Sequence, residues 1–369
     1  MSKGPKVAII GAGFSGLACA IGLERHGIEP VIFERHDVVG GRFPNVEVFL
    51  RAYDQPVGDA VQYFRRHYGL DLWTPSPIRR LVLHSPHAEA VFRGPIGHLD
   101  LRGNQEGAWE KQLARLVKAP IRFGERVDPL TLGPEFDVVV VAEGQETVPK
   151  RLGLWHEVAS LRGSAWVIEG SVAPDEVHVW LDPALAGQGY GYILPWRGST
   201  AMAATFGPDV SEEEHSRQQD NFIRVLEARG FSHRPLGGSQ VNGYSIGYPE
   251  RCQEGRFILT GNSGGCMDPL AGFGQVQALI SGFEAAQAIV EGRPYTGIPG
   301  AATRRESRLA LRRFINGLTA ADQDHFVATM AALPFRSWFL STDLPLLQWL
   351  GALMRLRFGG PVPRESPTG

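Results

Sequence analysis

Cysteine is scarce in this sequence: Cys19, Cys252 and Cys266 are the only three among 369 residues. They are widely spaced, no two have metal-ligand spacing, and an odd number argues against a disulfide framework. No metal site is expected, and a reducing, cytoplasmic setting fits. Long apolar runs are also missing; none reaches the ~18–20 residues of a transmembrane helix. The stretch Met1–Lys6 leads straight into a strand pattern, so no signal peptide is expected. Nor is there an excess of charge. A net charge of −2 and a pI near 6.6 give no electrostatic reason to expect nucleic acid or an anionic membrane as partner. Hydrolase and zinc-protease signatures, G-x-S-x-G and His-Glu-x-x-His, are absent. No catalytic side chain announces itself. His84, His87 and His98 stand alone and read as surface or satisfied core residues.

What is present is an ordinary globular composition, 43% hydrophobic and 21% charged, with local patterns that alternate strand and helix. Val7–Ile10 is a short apolar run, read as a buried parallel strand. An apolar helix follows from Phe14 to His26, ended by Gly27, and then a second strand over Pro30–Phe33. The order is that of a βαβ unit. Residues 43–103 read as strands with one helix, Gln55–Tyr68. Phe136–Ala142 and Arg256–Thr260 are further buried strands, and Trp166–Phe206 is a run of strands with polar turns. Helices are expected over Val210–Arg229, opened by Ser211 and three acidic residues, and over Gln275–Val290. From Ala301 to Arg357 the pattern is helical and amphipathic, broken at Pro334 and Pro345.

The turn between the first strand and helix is Gly11-Ala-Gly13-Phe14-Ser15-Gly16, a G-x-G-x-x-G. Gly11 makes the tight turn, Gly13 admits a pyrophosphate to the backbone, and Gly16 lets helix and strand pack closely. The helix N-terminus offers free N–H groups to phosphate. An acidic residue is required at the end of the second strand to accept from ribose hydroxyls, and Glu34 is there.

Glu34-Arg35-His-Asp-Val-Val-Gly-Gly41-Arg42 resembles the acidic-x5-Gly-Gly-Arg signature of the glutathione-reductase-type FAD fold, in which Arg42 would pair with the pyrophosphate. Phe136–Val141 followed by Glu143-Gly144, Thr147 and Lys150 resembles the Asp-Gly-x-x-Ser segment of flavoprotein aromatic hydroxylases. Gly261-Asn262, then Asp268-Pro269-Leu-Ala-Gly272-Phe273-Gly274, leads into a helix holding Ser281-Gly282. This stretch resembles the Gly-Asp…Pro-x-x-Gly-x-Gly motif of the geranylgeranyl reductase family. Tyr190-Gly-Tyr192-Ile-Leu-Pro-Trp196 and Arg102 also fall where that family has an aromatic strand and an FAD-lining arginine.

The resemblance, over roughly residues 5–295, implies an α/β fold: an FAD-binding Rossmann domain with an interleaved β-sheet substrate domain and a helical C-terminal tail. The expected division is 1–45, 96–165 and 250–298 for FAD, 46–95 and 166–249 for substrate, and 299–369 for the tail. It implies FAD-dependent oxidoreduction of a largely apolar small molecule, by monooxygenation or C=C reduction. Tyr190, Tyr192 and Trp196 would line the pocket, and the tail would cover it or make a peripheral apolar contact. There is no second G-x-G-x-x-G, so any NAD(P)H must visit transiently as reductant. Three departures matter. The Trp-x-Trp-x-Ile-Pro signature of tryptophan halogenases is replaced. The family's catalytic cysteine has no counterpart after Arg42. Asn262 stands where the family has an aspartate toward the ribityl chain, so Asn262→Asp is expected to tighten FAD binding. Alternatives are a non-redox flavoenzyme of cyclase type and a flavin-less binding protein resembling the Rab GDP-dissociation inhibitors; the intact Gly11, Gly13, Gly16, Glu34 and Arg42 set argues against the latter.

Overall fold

A computed structural model describes residues 4–41, 44–54, 57–232 and 235–358. Two sheets divide the chain. The first contains β1 (Val7–Ile10), β2 (Val31–Phe33), β6 (Ile121–Arg122), β7 (Val138–Val141), β13 (Gln253–Glu254) and β14 (Phe257–Leu259). Its order is β13-β14-β7-β1-β2-β6, all parallel except β13. Val7 and Ile9 face one side and Ala8 and Ile10 the other, so both faces must be covered, which is why β1 reads as continuously apolar.

One face is covered by α1 (Phe14–Glu24) and α7 (Gln275–Glu291). They approach closely because a Cβ at Gly282 would meet the backbone of Ser15 and one at Gly22 would meet Ala286. Each fully buried Leu or Ile along this contact contributes ~1.5–3 kcal/mol. Beside them pack α2 (Ala60–Tyr68) and α3 (Trp109–Ala114), through Phe64 and the wholly buried Trp109. The expected helix over Gln55–Tyr68 is shorter at its start: Asp59 caps it through Gln62 N–H, and Gln55 lies outside the described residues.

The second sheet has the order β12-β8-β11-β10-β9-β4-β5-β3. Its strands are β3 (Asn45–Leu50), β4 (Pro77–His84), β5 (Glu89–Arg102), β8 (Trp155–Glu169), β9 (Glu176–Trp180), β10 (Tyr190–Pro195), β11 (Thr200–Pro208) and β12 (Pro235–Pro249). It is antiparallel except where β4 meets β9. β5 and β8 run across the expected junctions at 95/96 and 165/166 and lie along their whole length in this sheet. β12 was not anticipated: its glycines and two polar stretches hide the alternation, and its register slips three times. Short α4 (Thr147–Arg151) and α5 (Pro183–Ala186) link strands, while α6 (Glu212–Glu227), capped by Ser211, covers the outer face through Phe222 and Leu226.

Four tail helices follow: α8 (Ala301–Asn316), α9 (Ala320–Ala332), α10 (Arg336–Ser341) and α11 (Leu346–Phe358). Breaks occur near Pro334 and Pro345 as expected, and also at Gly317, where Thr319 and Asp322 form a capping box for α9. The tail is both core and surface. Arg308, Leu311 and Val327 are buried, while Trp338, Trp349 and Leu353 are about half exposed. No helix among the described residues is long and apolar enough to cross a membrane.

α11 docks on α8 at Gly351, where a Cβ would stand 2.6 Å from the Ser307 carbonyl oxygen. Gly351→Leu is therefore expected to pry α11 from α8 and cost about 1–3 kcal/mol by overpacking. Thermal denaturation checks this; an unchanged Tm would refute the close packing.

Candidate functional site: a two-ended cavity between the sheets

A single cavity of about 1540 Å³ runs from the β1–α1 turn to the inner face of the second sheet. A pocket for one ligand is typically ~300–1,000 Å³, so this one has room for a cofactor and a substrate together.

The first end is built by the glycine turn. Gly11 has φ +106°, and a side chain there would strike the Ala142 carbonyl; one at Gly16 would strike Gly11. Gly13 is different, since a Cβ would meet nothing within 4 Å: the backbone itself faces the open space. Gly13, Phe14 and Ser15 line the cavity, and no side chain caps α1. The helix therefore presents its first-turn N–H groups to whatever sits there. Glu34 is buried at the same wall and accepts from Ala12 N–H (2.8 Å) and His36 N–H (2.9 Å). Each carboxylate oxygen retains a lone pair for a ribose hydroxyl. These are the groups that a dinucleotide requires, and the cradle fits one. Arg35, Gly40 and Gly41 complete this wall; Arg42 lies outside the described residues.

The middle is a knot of charge. Arg102 is buried, lies over the Phe14 ring at 4.0 Å, and donates to Glu110 at 2.8 Å and to Glu47, with Asp100 at 3.7 Å. Burial works against its charge, but Glu110, Glu47 and Asp100 together hold the guanidinium above its ordinary pKa. Glu47 also accepts from Gln275 at 2.6 Å, at the first turn of α7. Thus Arg102 does line the cavity, but three carboxylates of the protein engage it. Opposite, Glu143, Gly144 and Thr147 form the wall, where burial raises the Glu143 pKa.

The loop Asp268–Gly274 brings Pro269, Gly272, Phe273 and Gly274 to the cavity, and Gly261 and Asn262 lie beside them. Asp268 shapes the loop by accepting from Leu270 N–H (2.7 Å) and Ala271 N–H (3.2 Å), and it receives the Tyr53 hydroxyl. α7 begins at Gly274 without a side-chain cap. Neither Tyr53 nor Glu47 had a sequence signal, because β3, which carries Glu47, and the turn after it, which carries Tyr53, have no motif of their own.

The far end is apolar. Leu81, Leu83, Val177, Val179, Tyr190, Tyr192 and Leu194 alternate along β4, β9 and β10, the period that sends every second side chain inward. Tyr190 donates to the Ala271 carbonyl at 2.6 Å, tying strand to loop. Trp196 does not line the cavity: β10 ends at Pro195, the chain turns through Arg197–Thr200, and Trp196 packs beside the wall, on the cluster that holds Leu81, Val177 and Leu194. The tail closes the end with Phe326, Met330 and Leu347. His84, His87 and His98 do not line the cavity. His84 sits on the outer face against His178 (2.9 Å), and burial drives its pKa to about 3. Among the described residues no group of His, Cys, Asp and Glu could hold a metal ion.

Sheet order and glycine turn define a Rossmann-type nucleotide-binding sheet beside a second, mainly antiparallel sheet, the α/β architecture expected from the sequence. Residues 9–78 match the family of NAD(P)-binding Rossmann-like domains. The geranylgeranyl bacteriochlorophyll reductase-like protein of Thermoplasma acidophilum superposes with a TM-score of 0.75 at 14% identity, over 97% of this chain and 99% of that one. The flavin-dependent brominase Bmp2 gives 0.66 at 15%, over 97% and 98%. The small chain of NADPH glutamate synthase from Escherichia coli is 60% identical over 38 residues, which is 10% of this chain and 8% of that protein. The alignments with curated relatives span 8 to 20% of the relatives' lengths.

Two predictions follow from the site's hydrogen bonds. Asn262 Nδ2 donates to the Tyr244 hydroxyl (2.6 Å) and to the Gly144 carbonyl (3.3 Å), and that hydroxyl itself donates to Gly144 at 3.0 Å. An aspartate would put a third acceptor into this triangle and remove one of its two donors, leaving the Tyr244 hydroxyl. Asn262→Asp should therefore lower the melting temperature through the loss of about 1–3 kcal/mol of bonding, while the tighter FAD binding expected from sequence is measured separately by FAD titration. An equal or higher Tm would overturn this reading.

Asp54, buried beside Arg308, has its pKa raised to about 7 by desolvation, against the opposing pull of Arg308 and Leu50 N–H. The folded chain keeps this proton between about pH 4 and about pH 7, where the unfolded chain has released it, so stability falls as pH rises through that window. Asp54→Asn removes the loss. Its stability relative to wild type should grow from pH 5 to pH 8, by up to about 3 kcal/mol. Urea unfolding at both pH values measures the difference, and a constant difference would exclude it.

Proposed function

We propose that this chain is a flavoenzyme that binds FAD at the glycine-turn end of the cavity and oxidises or reduces an apolar small molecule held against the second sheet. The observation that carries the reading is the continuity of the cavity: dinucleotide-type donors at one end open directly onto an apolar wall at the other. FAD would supply hydride transfer or, with dioxygen, oxygen transfer; the protein's part is to hold and orient.

In this reading Glu34 accepts from the ribose, and the N–H groups of Gly13, Phe14 and Ser15 take the pyrophosphate, with Arg35 and Gly41 beside it. Gly261 and Asn262 border the ribityl chain, where the Asn262 carbonyl oxygen remains to accept. Pro269, Gly272, Phe273 and Gly274 let the backbone approach the flavin ring, and the uncapped start of α7 turns its positive end toward the ring, favouring negative charge there. Arg102 keeps Phe14 and the start of α1 in place. Tyr190, Tyr192 and the tail exclude water around the substrate, and NAD(P)H visits as a transient reductant. The first sheet with α1 and α7 forms the FAD domain, the second sheet forms the substrate domain, and the tail is its cover.

The purified protein should be yellow, and acid should release all the colour, since the flavin end of the cavity, at Asp268–Gly274, has no histidine or cysteine among its lining residues. A colourless protein that takes up no FAD sinks the reading. Glu34→Ala should weaken FAD binding by roughly 1.5–3 kcal/mol, the range for bonds to a charged group, as measured by FAD titration. NAD(P)H consumption with and without oxygen then separates oxygenation from reduction.

A further inference from the structure

Three arginines, Arg304, Arg308 and Arg312, fall one turn apart on the side of α8 that faces the Asp268–Gly274 loop. Arg308 is engaged inside the protein, and Arg304, whose buried Nε has no hydrogen-bond partner among the described residues, lies off the cavity wall. Arg308 is buried, lies 3.4 Å from Asp268, stacks over Tyr53 at 4.2 Å and donates to the Tyr53 carbonyl. Arg312 is part of the cavity wall, and its only hydrogen bond among the described residues is a 3.2 Å contact to the Leu270 carbonyl oxygen. No carboxylate of the described residues lies within ion-pair distance of it. The other charged side chains of the wall belong to the glycine-turn end or to the knot around Arg102. Arg312 is thus the one charge among the apolar groups of the far end, beside Ile315, Phe326 and Tyr190.

A half-buried guanidinium with a single neutral acceptor is poorly compensated, and such a group is retained at low cost only if something charged completes it. Burial lowers the Arg312 pKa, opposed by the Tyr190 and Tyr53 hydroxyls. Those hydroxyls donate elsewhere, to Ala271 and Asp268, so neither acts as an anionic partner.

We propose that Arg312 binds an oxyanion on the substrate, a carboxylate or phosphate, so that the enzyme's substrate is amphiphilic: an anionic head at Arg312 beside the Leu270–Ala271 loop and an apolar body along β4, β9 and β10. The proposal rests on the flavoenzyme reading of the cavity and fixes which end of the substrate lies near the cofactor loop. The planar fork of arginine can take both oxygens of such a head at once, which a lysine cannot.

The test is calorimetric titration with decanoate, decyl phosphate, methyl decanoate and decylamine, on the full chain with FAD bound and after FAD removal. Calorimetry does not depend on flavin colour, so a failure of the flavin reading is seen separately, in the FAD titration. Wild type should bind at least one of the two anions about 10- to 100-fold tighter than the ester, and decylamine no better than the ester; which anion wins identifies the head group. Arg312→Gln should erase the preference, while Arg312→Lys should keep part of it. The wild-type comparison stands even if a variant misfolds. Equal binding of anion and ester by wild type, no saturable anion binding, or an anion preference that survives in a folded Arg312→Gln protein would each overturn the proposal. So would a loss of FAD affinity in Arg312→Gln together with no anion preference in wild type, which would assign the charge to the cofactor instead.

Discussion

The Glu34 carboxylate is the fixed point of this molecule. By accepting the Ala12 and His36 N–H groups, it ties the turn after β1 to the end of β2, two chain segments that no side-chain packing joins so directly. The turn can then keep its backbone exposed at Gly13 without collapsing onto the sheet. With the turn held, α1 has one available line of approach, and Gly16, Gly22 and Gly282 let it lie close against the strands and α7. The position of α7 in turn sets the Asp268–Gly274 loop, and Tyr190 hangs the second sheet from that loop. A short chain of contacts thus connects the nucleotide-type turn to the apolar wall.

The second constraint is the accumulation of charge at the junction. Arg102 gathers Glu47, Glu110 and Asp100 from three segments. Removing one partner of such a cluster leaves an uncompensated buried charge, which is far more costly than the cluster's own net contribution. The cluster therefore fixes α3 against β3 and β5 more than it adds stability.

Four of the first sheet's six strands were legible in the sequence, because tight turns and close backbone approaches demand glycine at fixed spacing, and buried parallel strands demand unbroken apolar runs; the two-residue β6 and β13 are too short to leave such a run. Val7–Ile10, the Phe14 helix, Val138–Val141 and Gln275–Glu291 all appear where the pattern placed them. The second sheet was less legible. β12 carries Gly237, Gly238 and Gly243 in a half-exposed edge strand, and no local rule marks a strand whose pairing is set by its neighbour β8. Among cavity residues, Tyr190 and Tyr192 were expected from the family resemblance and line the wall, whereas Trp196, expected with them, stands just past the end of β10 and off the wall. Tyr244, Glu47 and Arg312 were invisible: each acts through a partner far away in the chain, and nothing in its own neighbourhood announces that partner.

The cavity's walls come from widely separated times in synthesis. Residues 10–15 and 34 emerge from the ribosome early, the loop at 267–274 follows, and Arg312, Met330 and Leu347 emerge last. Until the tail helices dock, the groove between the sheets is open along its apolar side, and a large ligand can be laid in from that side. Once α8 and α11 have closed around Gly351, the same ligand must thread past side chains. Loading during folding and exchange in the finished protein are thus two different kinetic problems, with the slower one arising only after the last helix has formed.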